Sequence, residues 1–137
     1  IDWGMTKENV SSHLTKASEL LREAGYDNEF IEIVLSHGYD YEELPHLKDK
    51  KRAKNIEYAL AASETLTGLI HAYALMRGEK VSDMEVSGLK KKYKDKSFAA
   101  GCDREIIKEA ENFMSFDEFL QCGIEGIKKI KEGVGLK

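Results

Sequence analysis

Proline is almost missing from this chain: Pro45 stands alone in 137 residues, so long stretches lack the residue that most strongly breaks a helix. Alternating Val/Ile/Thr-rich runs bounded by turn pairs are also lacking, which argues against a sheet. No apolar run approaches the roughly 18 residues of a membrane span. Without a signal peptide ahead of the domain, a cytoplasmic protein with no membrane partner is the expectation. The two cysteines, Cys102 and Cys122, are far apart and form no C-x-x-C pair. They read as free thiols rather than as a disulfide or a zinc pair. No internal repeat or low-complexity linker interrupts the chain. A net charge of −4 also disfavours a nucleic-acid binder.

What is present suits a folded globular protein. Hydrophobic residues make up 42% and charged residues 34%, a balance that argues against wholesale disorder. The length fits one domain over residues 1–137 with a real hydrophobic core. The chain opens on Ile1-Asp2-Trp3-Gly4 without an initiator methionine, Met5 being the first one. The expectation is a chain whose natural beginning is absent.

The apolar periodicity predicts an all-α architecture of about six helices around one core. Thr6 is the expected N-cap of a first helix through Val10, Leu14, Ala17, Leu21 and Ala24, stopped by Gly25. Asp27 caps a short second helix with Phe30, Ile31, Val34 and Leu35, ending at His37-Gly38. Residues 39–48 read as a loop. A long helix then starts near Asp49, with its core face on Ile56, Leu60, Ser63, Thr67, Ile70 and Ala74, and closes at Gly78. Asp83 is the expected cap of a helix carrying Met84, Val86, Leu89 and Tyr93. Residues 94–101 form a loop, Asp103 caps the next helix, and Ser115 with Glu118 makes a capping box for the last.

Three side chains carry the candidate chemistry. His13 and His37 each flank the apolar stripe of a separate helix, and Glu64 lies within the apolar stretch A-A-S-E-T-L-T-G-L-I. A carboxylate there is costly to bury unless something positive or hydrogen-bonding meets it. Imidazoles with a carboxylate favour a divalent transition metal ion over calcium. Such an ion suits phosphate-ester hydrolysis, because it acidifies water and polarises a phosphoryl oxygen. Plainer readings stand beside this one. A core-edge histidine is more often a hydrogen-bonded packing residue, and Glu64 could pair with a base such as Lys54. His46 reads as a solvated loop residue and His71 as a helix-surface or core-edge one. The run Lys90, Lys91, Lys92, Lys94 and Lys96 is most simply a solvated helix face. Its functional version is attraction for a phosphorylated substrate, with Lys96 the candidate contact. Phe98 reads as a local hydrophobic plug.

Three strings together resemble the HD-domain family of metal-dependent phosphohydrolases, in a small branch of it. The opening I-D-W-G-M-T-K-E is similar to the segment after the family's His-Asp doublet. H-L-T-K-A-S-E-L-L-R-E-A-G-Y followed by I-V-L-S-H resembles the two later histidine-bearing helices. A-S-E-T-L-T-G-L-I, with K-D-K-S-F-A-A-G downstream, resembles the end of the site. The resemblance implies an HD-like helical fold in which His13 and His37 are metal ligands and Glu64 takes the place of the final aspartate. Asp2 then matches an acid just beyond the doublet. The first histidine and the doublet have no counterpart, so this chain alone is expected to hold metal weakly and to catalyse poorly. The implied substrate is a phosphorylated small molecule such as a nucleotide. A homo-oligomer is compatible with the sequence. The rival expectation is a non-catalytic helical interaction or scaffold module. A nucleic-acid contact through Lys90 to Lys96 ranks last, because aromatic residues scarcely interleave with the lysines.

Overall fold

The computed structural model describes residues 8–137. Among these residues there are six α-helices and no strand, the all-α class expected from the sequence. The helices are α1 (Ala17–Glu23), α2 (Asn28–Leu35), α3 (Asn55–Met76), α4 (Val86–Lys94), α5 (Arg104–Lys108) and α6 (Phe116–Ile130), with short 3₁₀ turns ahead of α1 and after α2, α5 and α6. No helix among the described residues is long and apolar enough to cross a membrane. The chain clusters into two compact units, one reaching to Ala61 and one over Ala62–Lys137.

In the first unit, Leu14, Ala17, Leu21, Ile31, Leu35, Tyr39, Leu44 and Leu47 form the apolar cluster. The expected first helix is broken. Val10–Ser12 is a 3₁₀ turn, and Leu14 then takes φ +67° before α1 begins. The cause is local competition, since the amide and the hydroxyl of Thr15 both donate to the Ser12 carbonyl (3.1 and 2.6 Å). Short hydroxyl side chains offer the backbone such alternatives to a helix. Thr6 and Asp2 lie outside the described residues. The far end of α1 forms as expected. Gly25 sits at φ +89°, its N–H donates to Arg22 and that of Tyr26 to Leu21, the double closure of a Schellman motif. Asp27 caps α2 by accepting from the Phe30 N–H at 2.9 Å. Phe30 itself is exposed and stacks on Tyr26.

The long helix starts at Asn55, six residues later than expected, and its buried face differs from the expected one. Ile56 is 52% exposed and Ser63 and Thr67 face solvent, whereas Glu57, Ala61, Ala62, Leu66, Leu69 and Tyr73 are buried with Ile70 and Ala74. The Glu57 carboxylate explains the rotation at the first turn. It accepts from the N–H groups of Ala53 (2.8 Å) and Lys54 (3.1 Å), which draws the acid inward and turns Ile56 out. Small alanines then occupy the close-packed positions that periodicity alone assigns to larger residues.

The second unit buries Leu66, Leu69, Ile70, Val81, Leu89, Ile107, Leu120 and Ile124 almost completely. Gly123 lets α6 approach α3, since a Cβ there would fall 2.7 Å from Leu66 Cδ2. The N-cap of α4 is Glu85 rather than the expected Asp83, whose carboxylate instead pairs with Arg77 at 2.6 Å. Asp103 caps α5, and Ser115 with Glu118 forms the expected capping box of α6.

Candidate metal centre

His13 and His37 meet. Their Nε2 atoms are 3.4 Å apart, and their ring centroids are 5.5 Å apart at an interplanar angle of 56°. Both side chains are half-buried. His13 ends the first 3₁₀ turn in extended backbone (ψ 138°), with its N–H donating to Val10. His37 sits in the 3₁₀ turn Ser36–Gly38 that continues α2. Gly38 allows the approach of the two segments: a Cβ there would lie 2.7 Å from Leu14 Cδ1, 2.8 Å from Leu44 Cδ1 and 3.1 Å from Leu47 Cδ1. The residue after each histidine is therefore part of the same packing contact.

The tautomer of His37 follows from its partner. Its Nδ1 lies 2.6 Å from the Val34 carbonyl oxygen, which can only accept, so Nδ1 carries the proton. In the neutral ring Nε2 then bears a lone pair directed toward His13. The separation of 3.4 Å is long for an N–H···N hydrogen bond. The same separation accommodates a shared ion, because metal–nitrogen bonds of about 2.0–2.1 Å at a tetrahedral angle put two nitrogens about 3.4 Å apart. A backbone carbonyl on the far nitrogen is also the usual way that a metal-binding histidine is oriented. The donor set thus fits a first-row divalent ion as far as two ligands go. Among the described residues, no group of three or more His, Cys, Asp or Glu side chains could hold a metal ion.

Glu64 is exposed on α3, where its carboxylate accepts weakly from Thr65 Oγ1 at 3.4 Å. Its charge is felt at Cys102: burial pushes that thiol up, Arg104 opposes the shift and Glu64 adds to it. Lys96 is exposed on the loop after α4. The basic run does not act as one face. Lys90 pairs with Asp117 at 2.7 Å, and Lys92 lies over the Phe98 ring at 4.9 Å. Lys91, Lys92 and Lys94 occupy the last turn of α4, where the helix dipole favours cations. Phe98 packs on the core of the second unit, as expected of a plug.

The chain matches no protein-family model, no curated protein and no solved structure.

Two buried arginines, Arg52 and Arg104, were not legible in the sequence. Arg104 is ringed by backbone carbonyls. Its Nε donates to Tyr93, Nη1 to Ala99 and Cys102, and Nη2 to Lys92, Asp95 and Phe98. Its one sequence signal is the three-residue spacing to Ile107, which puts it on the buried stripe of α5. Arg52 donates through Nη1 to the carbonyls of Ser36 (2.9 Å) and Tyr39 (2.8 Å). The lysines of K-D-K-K-R-A-K hide it, because nothing in the spacing separates it from its solvated neighbours.

Proposed function

We propose that this chain belongs to an HD-type metal-dependent phosphohydrolase acting on a phosphate ester such as a nucleotide, and that it contributes His13 and His37 to a metal site that these residues alone leave incomplete. The single observation that carries the reading is the pair of Nε2 atoms 3.4 Å apart, with His37 Nδ1 tied back to Val34. When bound, a divalent ion supplies Lewis-acid polarisation of a phosphoryl oxygen. The chain's own contribution is to hold two imidazoles at a chelating separation. The Nδ1–H bond fixes the His37 ring, and Gly38 brings its turn against Leu14. Glu64 is the third ligand that the resemblance assigns; its part rests on that resemblance and is tested separately. Exposed Lys96 is the candidate contact for the substrate phosphate.

Titration with zinc or manganese, followed by calorimetry and metal analysis, tests the reading. Wild type is expected to bind, and His13→Ala with His37→Ala to weaken binding by at least about tenfold. Unchanged occupancy in the double variant would overturn it. Glu64→Gln weakens binding only if the acid is a ligand. Hydrolysis of a panel of nucleotides and phosphate monoesters then reports on the reaction itself.

The interaction-module reading is favoured by one specific observation, the exposed Tyr26–Phe30 stack on the first unit, which offers a partner an apolar surface. Light scattering with and without divalent ions separates the two. Self-association that ignores metal supports the module.

A further inference from the structure

We propose that Arg52 is a positioning residue for the His13–His37 pair. The inference rests on the metal-site reading above and extends it to the layer behind the ligands. The two carbonyls that Arg52 holds, those of Ser36 and Tyr39, bracket His37 and Gly38 on either side. A single planar nitrogen thus clamps both ends of the turn that presents the His37 ring. Arg52 is 8% exposed, so bulk water does not compete strongly for these bonds.

Its own backbone is anchored in turn. The Tyr58 hydroxyl donates to the Arg52 carbonyl at 2.8 Å, and Glu57 accepts from the two following amides. A continuous set of hydrogen bonds therefore runs from the first turn of α3 through residues 52–54 to the His37 turn. On the other side of that turn, Ser36 Oγ donates to Ile33 at 2.7 Å and His37 Nδ1 to Val34. The imidazole is held from its ring nitrogen and from its backbone at once. Loss of the arginine frees the backbone half. The ring then samples orientations in which Nε2 no longer faces His13, although both histidines are still present. Partners behind a ligating histidine typically change metal affinity by about 10–100-fold.

The test uses the full chain, with Arg52→Met as the main variant and zinc as the probe. Two readouts are taken on folded protein: zinc affinity by calorimetry, and the imidazole ¹⁵N spectrum without metal. Arg52→Met is expected to lose about tenfold or more in zinc affinity. Its His37 is expected to change from one Nδ1–H tautomer to an average of two. Zinc affinity within about twofold of wild type, with an unchanged His37 signal, overturns the proposal and assigns Arg52 to stability alone. If wild type binds no zinc, the metal-site reading fails, and the ¹⁵N spectrum still decides whether Arg52 orients the ring. If Arg52→Met does not fold, Arg52→Lys takes its place. That lysine could still reach both carbonyls from its one nitrogen, so Arg52→Gln, whose amide is too short to span them, is measured beside it, and a wild-type His37 signal in Arg52→Gln overturns the proposal.

Discussion

Replacing Arg104 by methionine should be among the most damaging single changes outside the apolar cores. The guanidinium is 8% exposed and reaches six main-chain carbonyls, with bonds of 2.9 Å to Ala99 and 3.1 Å to Tyr93 and Asp95 among them. No carboxylate is among the six acceptors, so backbone dipoles carry much of the compensation for its charge. A hydrogen bond to a charged group is worth about 1.5–3 kcal/mol, but burying the guanidinium offsets several kcal/mol of that sum. After substitution, water can reach the exposed part of the loop around Asp95, Lys96 and Ser97, and the Lys92 carbonyl loses only a long bond of 3.4 Å. The half-buried carbonyls of Tyr93, Phe98, Ala99 and Cys102 are solvated less easily, each at about 1–2 kcal/mol. A net loss of about 3 kcal/mol results, which corresponds to a fall in Tm of about 10 °C for a chain of this size. Arg104→Lys, with three donors on one nitrogen, should lose about half as much. Thermal unfolding by circular dichroism reads the global effect. Hydrogen exchange at the Phe98 and Cys102 amides, which bond to Asp95 and Ala99, reads the loop. A methionine variant that melts within about 2 °C of wild type, with those amides equally protected, would refute the reasoning.

Gly38→Ala should destabilise by about 1–3 kcal/mol, because its new methyl meets three leucines at 2.7–3.1 Å; urea titration measures it. Gly25→Ala has open space but a backbone at φ +89°, so it should cost about 1 kcal/mol by the same assay. Burial, with the hydrogen bond donated to Glu32, raises the Tyr39 hydroxyl above its ordinary 10.0. Folding thus favours the neutral phenol. Its contribution is complete below pH 10.0 and is lost as pH rises toward the higher folded value. The urea midpoint should fall from about pH 9 to about pH 11, and less so in Tyr39→Phe. Tyr39 holds the Glu32 carboxyl below its usual range, with Lys50 assisting. That contribution is present above pH 4.5 and fades as pH drops through the lowered value, a loss that Tyr39→Phe should also diminish.

Signals confined to a few neighbouring residues were the ones best read from sequence. Asp27, Asp103 and the Ser115–Glu118 box each announce a helix start through chemistry completed within three residues. Gly25 and Gly78 announce ends because the left-handed conformation favours glycine. Failures came where a distant or unusual partner decides the outcome. Periodicity carries the first helix straight through His13 and Leu14, yet the Thr15 bonds to Ser12 and the contact with Gly38 stop it there. The buried face of α3 turns on one carboxylate, Glu57, which any hydropathy pattern places outside. The sequence leads one to expect His13, His37 and Glu64 on buried helix faces. The two histidines meet, but from a 3₁₀ turn rather than a continuous helix, and Glu64 is exposed on α3. Arg52 and Arg104 were missed because their acceptors are carbonyls, and every residue carries one.

Leu14 is constrained from two directions. Its backbone at φ +67° suits glycine or asparagine, whereas its side chain, 2% exposed, belongs to the apolar cluster with Leu44 and Leu47. Glycine would relax the backbone and forfeit about 2 kcal/mol of burial. Asparagine would insert an amide among aliphatic groups, and a β-branched residue would tolerate the dihedral poorly. Few residue types meet both demands, so the position beside His13 has a narrow repertoire even though leucine itself contributes no polar atom to the pair.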